Sequence, residues 1–200
     1  MPTAHPDTTP AHARELLARA CDETRQLADH LAGLADQIEA AAALIRDCFA
    51  DGGKLLICGN GGSCADAMHF AEELVARFQH DRQGLPAIAL ADPTVLTCVG
   101  NDFGYDAIFK RQVEALGRPG DLLVVLSTSG NSANCVAALE QAKLQGLRSL
   151  ALLGKTGGTL KGQCDVELIV PMQTAHRVQE GHKVIYHTLC EWCDAQYADQ

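Results

Sequence analysis

His69 and Glu73 stand four residues apart in SCADAMHFAEELVARF, a stretch with helical spacing of its apolar residues. At i, i+4 two side chains share one helix face. A His–Glu pair so placed can hold a metal ion or work as an acid/base pair. An ordinary surface contact of the same residues carries no chemistry and is worth only about 0.2–0.5 kcal/mol. The approach to the pair argues for more. The apolar run Leu55-Leu56-Ile57-Cys58 reads as a strand and enters a tight turn, Gly59-Asn60-Gly61-Gly62-Ser63. Such a strand-to-helix turn presents bare backbone N–H groups to an oxyanion. A turn needing positive φ accounts for its glycines, but not for the flanking Asn60 and Ser63. A dinucleotide fingerprint is a poor match, since Cys64 holds the place of its third glycine and no ribose-binding acid follows about 20 residues on. Nor does a Gly-Lys-Ser/Thr follow this turn, as a Walker loop requires.

A second loop, Ser127-Thr128-Ser129-Gly130-Asn131-Ser132, directly follows the apolar run Leu122–Leu126. Hydroxyls and N–H groups at a helix N-terminus suit a phosphate. One Ser or Asn would suffice as a helix cap, and this loop carries four hydroxyls and a glycine. Without a Lys or Arg it suits a monophosphate ester better than a triphosphate, which calls for a cation. Gly100-Asn101-Asp102, after Val95-Leu96-Thr97-Cys98-Val99, reads on its own as a standard turn. Gly154-Lys155-Thr156-Gly157-Gly158 reads as a connecting loop. Near the C-terminus, Gln179, Glu180, His182 and His187 share a helical pattern with Val184, Ile185 and Leu189. Among those apolar neighbours His187 reads as a buried, hydrogen-bonded histidine. Gln179 and His187 lie about 12 Å apart along an ideal helix. One metal takes both only if the side chains reach inward or another subunit contributes.

These residues need a scaffold. Residues 11–50 carry Leu and Ala at helical spacing and read as two amphipathic helices broken near Gly33. Beyond Gly52-Gly53 short apolar runs at 54–58, 86–90, 121–126, 148–153 and 165–170 alternate with helical patterns at 63–79, 104–116, 131–145 and 176–197. That alternation predicts an α/β fold, a five-stranded parallel sheet with helices on both faces. Ligands of such sheets bind beyond the carboxyl ends of the strands, where the two loops fall. The predicted organisation is a loose segment 1–10 followed by a single domain, 11–200, with helices over 11–50 and an α/β core over 54–197.

Composition narrows the class. Of 200 residues 47% are hydrophobic and 20% charged, as in ordinary globular domains. A net charge of −9 and the absence of Lys/Arg runs argue against nucleic acid or an anionic membrane as partner. No apolar stretch reaches the ~20 residues of a membrane helix, and MPTAHPDTTPAHARELL lacks the order of a signal peptide. Nine scattered cysteines read as reduced thiols of a cytoplasmic protein. Cys190-Glu191-Trp192-Cys193 is a lone CxxC and reads as two thiols on one helix.

The segments CGNGGSCADAMHFAEEL, LPAIAL, VGNDFGYDAIFKRQVEALGRPGDLL, STSGNSANCVAAL and RVQEGHKVIYH together resemble a sugar isomerase (SIS) domain, and more narrowly the phosphoheptose isomerases. The similarity runs in order from about residue 11 to 195. It implies a flavodoxin-like three-layer sandwich and a homotetramer with active sites between subunits. The implied activity is aldose–ketose isomerisation of sedoheptulose 7-phosphate to D-glycero-D-manno-heptose 7-phosphate in bacterial heptose and lipopolysaccharide biosynthesis. By resemblance, Asn60, Gly61 and Gly62, with Ser63 beside them, and Asn101, Asp102 and Gln179 contact substrate. Ser127, Thr128, Ser129 and Ser132 hold its phosphate. Glu73 matches the catalytic carboxylate and His187 the catalytic histidine. His69, Glu73, Gln179 and His187 match the ligands of one zinc ion per subunit. The chain departs from the pattern at His176, where the family often has an acid. A related branch that binds the replication initiator DnaA lacks the acid and the histidine that stand here as Glu73 and His187, and another sugar phosphate is a further alternative as substrate.

Overall fold

The computed structural model describes residues 9–198. Residues 1–8 of the segment expected to be loose lie outside them, and Pro10 already opens the first helix, α1 (Pro10–Ala32). Proline is suited to that position because its missing N–H would have no partner there. Helix α2 (Ala35–Ala50) follows after the break at Gly33. The α/β part then runs β1 (Leu55–Gly59), α3 (Gly62–Val75), β2 (Ala87–Ala89), α4 (Pro93–Phe103), α5 (Lys110–Leu116), β3 (Leu122–Ser127), α6 (Ala133–Leu144), β4 (Arg148–Gly154), β5 (Val166–Val170) and α7 (Ala175–Tyr197). Short 3₁₀ turns occupy Tyr105–Ala107 and Gly158–Leu160.

All five strands are parallel, in the order β2-β1-β3-β4-β5. Every residue of β1 and β3 is buried, because helices cover both faces of the sheet. Alternate side chains enter opposite layers. Leu55, Ile57, Val124 and Leu152 pack with Phe70 and Leu74 of α3, Ile45 of α2 and Ile185 and Tyr186 of α7. Leu56, Cys58, Val125 and Leu153 pack with Phe109, Val113 of α5 and Ala138 of α6. Helix α3 and helix α7 therefore lie on the same face, side by side.

Three boundaries differ from the sequence reading. Gly100-Asn101-Asp102, read as a turn, lies with Val95–Val99 inside α4, because Asp92 caps that helix by accepting the N–H groups of Thr94 and Val95 (both 2.9 Å) and Pro93 begins it. The cap and the proline outweigh those turn-forming residue types. The helix expected over 104–116 starts only at Lys110, since Gly104 takes φ +87° and breaks the chain into a 3₁₀ turn first. Helix α3 stops at Val75 rather than 79, and the chain then returns to the sheet edge, where Leu85 N–H donates to the Leu74 carbonyl (2.9 Å).

One buried group of this scaffold ties stability to pH. His182 on α7 is fully buried, its Nε2 is 3.1 Å from the Leu153 carbonyl, and its Nδ1 has no partner. Burial pushes the imidazole down to about 4 from 6.5. A depressed histidine favours the fold above the unfolded value and loses that contribution as pH falls through the folded one. Urea denaturation at pH 7 and pH 5 should show a loss of about 2 kcal/mol that is absent in His182→Gln. Equal losses in both proteins would rule His182 out as the source.

Candidate active site

Gly62, Asp66, His69 and Glu73 follow i, i+4, i+7, i+11 spacing along α3 and form one stripe. All four meet α7. His69 Nε2 is 2.9 Å from Glu73 Oε1, and the Tyr186 hydroxyl is 3.1 Å from His69 Nδ1. The His187 ring stands edge-on to His69 (5.1 Å between centroids) and to Tyr186 (4.7 Å), with Phe78 behind it at 5.5 Å. One ligand atom each from His69, Glu73 and His187 lie within 4.8 Å of one another.

His187 is thus not the satisfied core histidine that its apolar neighbours suggested. Its Nε2 is buried and makes no hydrogen bond, a rare condition for a polar atom. Burial first, and then the charge of His69, lower its pKa, so its neutral form offers a lone pair at pH 7. Two imidazoles and a carboxylate are the donor set of a catalytic zinc site, which keeps a further position open. The orphaned Nε2 of His187 fits such an ion. The residues also offer a base and a proton carrier within reach of one small molecule.

Gln179 is placed elsewhere. Its amide lies over Gly62 so closely that a Cβ there would come 2.4 Å from Nε2. Gly62 precedes His69 by seven residues, about 10 Å of helix. Within one chain Gln179 belongs to the glycine turn and not to the triad.

At the turn, Gly61 takes φ +56°, ψ −120°, a conformation that favours glycine. The Asn60 side chain is engaged internally. Its Nδ2 donates to Asn134 Oδ1 (2.9 Å), while its Oδ1 accepts from Asn134 Nδ2 and from the Tyr105 hydroxyl (2.8 Å each). This reciprocal amide pair ties the turn to the first residues of α6, and leaves backbone N–H groups as the turn's free donors. Ser63 is buried, with its N–H donating to the Asn60 carbonyl at 3.0 Å. Asn101 and Asp102 are exposed in the last turn of α4, where Asn101 Nδ2 donates to Asp102 Oδ1 at 2.7 Å. Tyr105, three residues on, joins that end of α4 to Asn60.

The loop 127–132 opens α6. Ser132 holds the cap position without using its side chain as a cap, so the first N–H groups of α6 have no intrahelical partner. Ser127 Oγ accepts the Gly130 N–H (3.0 Å) and Ser129 Oγ the Asn131 N–H (3.1 Å). The segment 154–160, read from sequence as a mere connection, braces this loop. The Leu160 N–H donates to the Gly130 carbonyl (3.0 Å), and the Thr159 N–H and hydroxyl both donate to Asn131 Oδ1 (2.9 Å). Gly158 packs so close that a Cβ would come 2.4 Å from the Ser129 carbonyl. The adjacent glycines at 157 and 158 were the available signal for such a close approach. His176 is exposed, 3.2 Å from the Thr174 hydroxyl.

Two half-sites result. The glycine turn and the serine loop lie together at the carboxyl ends of β1 and β3. The His69–Glu73–His187 cluster lies down the α3–α7 flank, with Glu73 eleven residues, or about 16 Å, beyond Gly62.

Residues 21–154 match the SIS domain family. The phosphoheptose isomerase of Vibrio cholerae serotype O1 is 54% identical over 163 residues, spanning 81% of this chain and 85% of that protein. That of Fusobacterium nucleatum subsp. nucleatum is 52% identical over 155 residues, 78% of this chain and 80% of its own. Among solved structures, the Francisella tularensis phosphoheptose isomerase superposes with a TM-score of 0.88 at 37% identity, and GmhA of Neisseria gonorrhoeae with 0.83 at 39%. Each comparison covers 92% of this chain and 98% of the other. The chain belongs to the SIS domain family and, within it, to the phosphoheptose isomerases.

Proposed function

We propose that the chain interconverts sedoheptulose 7-phosphate and D-glycero-D-manno-heptose 7-phosphate, an aldose–ketose isomerisation that feeds bacterial heptose and lipopolysaccharide synthesis in the cytoplasm. The observation that carries this reading is the His69–Glu73–His187 cluster in a chain half identical to phosphoheptose isomerases. The reaction moves a proton between C1 and C2 through an enediol, and needs a base for the carbon proton and a carrier for the oxygens. Glu73 takes the carbon proton from one carbon and returns it to the other, using the carboxylate oxygen that His69 leaves free. His187, neutral at pH 7, moves the proton between O1 and O2 through the ring nitrogen that a metal would leave free. Asn60, Gly61, Gly62, Ser63, Asn101, Asp102 and Gln179 grip the sugar, and Ser127, Thr128, Ser129 and Ser132 with the α6 N-terminus hold the phosphate.

His69, Glu73 and His187 would hold one zinc ion per subunit. Zinc supplies carbonyl polarisation and stabilisation of enediolate charge when bound. Gln179 completes that ligand set only when brought from its position over Gly62 or supplied by a neighbouring copy. The separation of the half-sites favours the second arrangement, in which phosphate loop and base come from different subunits of a homotetramer. The exposed apolar residues Met68 and Val75 of α3 and Val184 of α7 are consistent with helices that pack against another copy.

The test is sedoheptulose 7-phosphate in D₂O, followed by NMR. Deuterium should enter at C2 of the aldose, activity should vanish with a chelator, and zinc should restore it. Absence of the aldose product would refute the isomerase, and activity indifferent to chelation would remove the metal.

A further inference from the structure

Arg82 and Asp194, 112 residues apart in sequence, meet in the interior, where Arg82 Nε donates to Asp194 Oδ1 at 2.7 Å. Both side chains are almost wholly buried. A buried ion pair is by itself weak evidence of stabilisation, since desolvation opposes it. What matters is what the remaining atoms hold. Arg82 Nη1 donates to the Leu74 carbonyl (2.8 Å) and to that of Gln83 (3.1 Å), and Nη2 donates to the carbonyl of Glu73 (2.9 Å). The carbonyls of Glu73 and Leu74 belong to the last turn of α3, which lacks intrahelical donors for them, and that of Leu74 also accepts the Leu85 N–H. On the other side, Asp194 Oδ2 accepts the N–H groups of Gln79 (2.5 Å) and His80 (2.9 Å). Burial alone would raise the Asp194 carboxyl, but those two N–H groups and Arg82 outweigh it and hold its pKa below the usual value.

The two ends of this clamp reach both reacting groups. One end is bonded to the backbone of Glu73 itself. The other pins residues 79 and 80, next to Phe78, whose ring backs His187 at 5.5 Å. Asp194 lies on the same helix as His187, two turns on. We propose that Arg82 and Asp194 are positioning residues for the isomerisation, a clamp that sets Glu73 and His187 at the mutual distance proton transfer requires. The proposal rests on the reading of Glu73 and His187 as base and proton carrier. Arginine is needed because its planar fork serves a carboxylate and several carbonyls at once, whereas a lysine is a point charge that cannot.

Arg82→Lys keeps the charge and loses the fork. Phe78→Leu leaves the clamp whole and removes only the ring behind His187. Both are compared with wild type by circular dichroism and assayed well below their melting temperatures. In each, kcat should fall about ten- to a hundredfold through misplacement, with KM within about twofold, since the phosphate half-site is untouched. Affinity for zinc alone, titrated into the metal-free protein against a chromophoric chelator, should also fall. A folded Arg82→Lys protein with unchanged kcat and zinc affinity overturns the clamp. If that variant does not fold, unchanged values in Phe78→Leu overturn it. Glu73→Gln is the control. If it keeps full activity, the reading of the site fails. If it is inactive while both other variants match wild type, the clamp alone fails.

Discussion

Glu73→Gln should lower kcat by about 10²–10⁴-fold, the usual contribution of a general base, and leave KM for the sugar phosphate near that of the parent. The substitution is nearly isosteric. The amide can still meet His69 Nε2, now 2.9 Å from the carboxylate, so the α3–α7 packing survives. What disappears is the capacity to accept a proton from carbon. The serine loop is unaffected, because the loop lies at the opposite end of α3 from Glu73. A neutral ligand also weakens any metal at this position, so the assay belongs at saturating zinc, where a loss of metal cannot masquerade as a loss of base. Stopped assays of isomerisation together with isothermal titration of the phosphate ester separate the two effects. A variant that binds and does not turn over supports the assignment. A variant that isomerises near the parent rate removes Glu73 from the chemistry and leaves His187 without a partner.

Much of the scaffold was legible because it rests on local patterns. The apolar runs at β1 and β3 are almost continuous because both faces are covered, and the break at Gly33 divides two amphipathic stretches with different buried stripes. The two loops at the carboxyl ends of β1 and β3 were legible too, since glycine and hydroxyl residues directly after an apolar strand have few structural uses. What escaped depends on contacts distant in sequence. The four-residue spacing of His69 and Glu73 shows a shared face, but Tyr186 and His187, which complete that environment, come from the other end of the chain. Asn60 looked like a sugar ligand, and nothing near it indicates that Asn134 engages its amide. Gly100-Asn101-Asp102 looked like a turn because its residue types were read without the weight of the Asp92-Pro93 helix start. Gln179 and His187 suit one metal by resemblance, yet α7 runs alongside α3 and places Gln179 at Gly62, a separation only the relative direction of the two helices reveals.

The substitution with the largest expected effect on binding is Gly130→Ala. Gly130 takes φ +66°, and a Cβ there would come 1.8 Å from the Gly157 carbonyl oxygen and 2.4 Å from its carbon. Strain from φ alone is worth about 1–2 kcal/mol, and Gly61→Ala, with open space around its Cβ, would carry little else. At Gly130 the clash is the greater effect, because the obstacle is backbone and cannot rotate away. Relief requires the serine loop and the 154–160 segment to part, which breaks the bond from Leu160 N–H to the Gly130 carbonyl and pulls Asn131 from Thr159. The N–H groups and hydroxyls that would converge on a phosphate then diverge. Hydrogen bonds to a charged group contribute about 1.5–3 kcal/mol each, so losing two raises KM by about 10²–10⁴-fold. The His69–Glu73–His187 cluster is on the other face of the sheet and should keep its zinc affinity. Tight zinc binding with lost affinity for the phosphate ester would show that the two half-sites are built independently. A Gly130→Ala protein that binds the ester normally would remove the serine loop as the phosphate site.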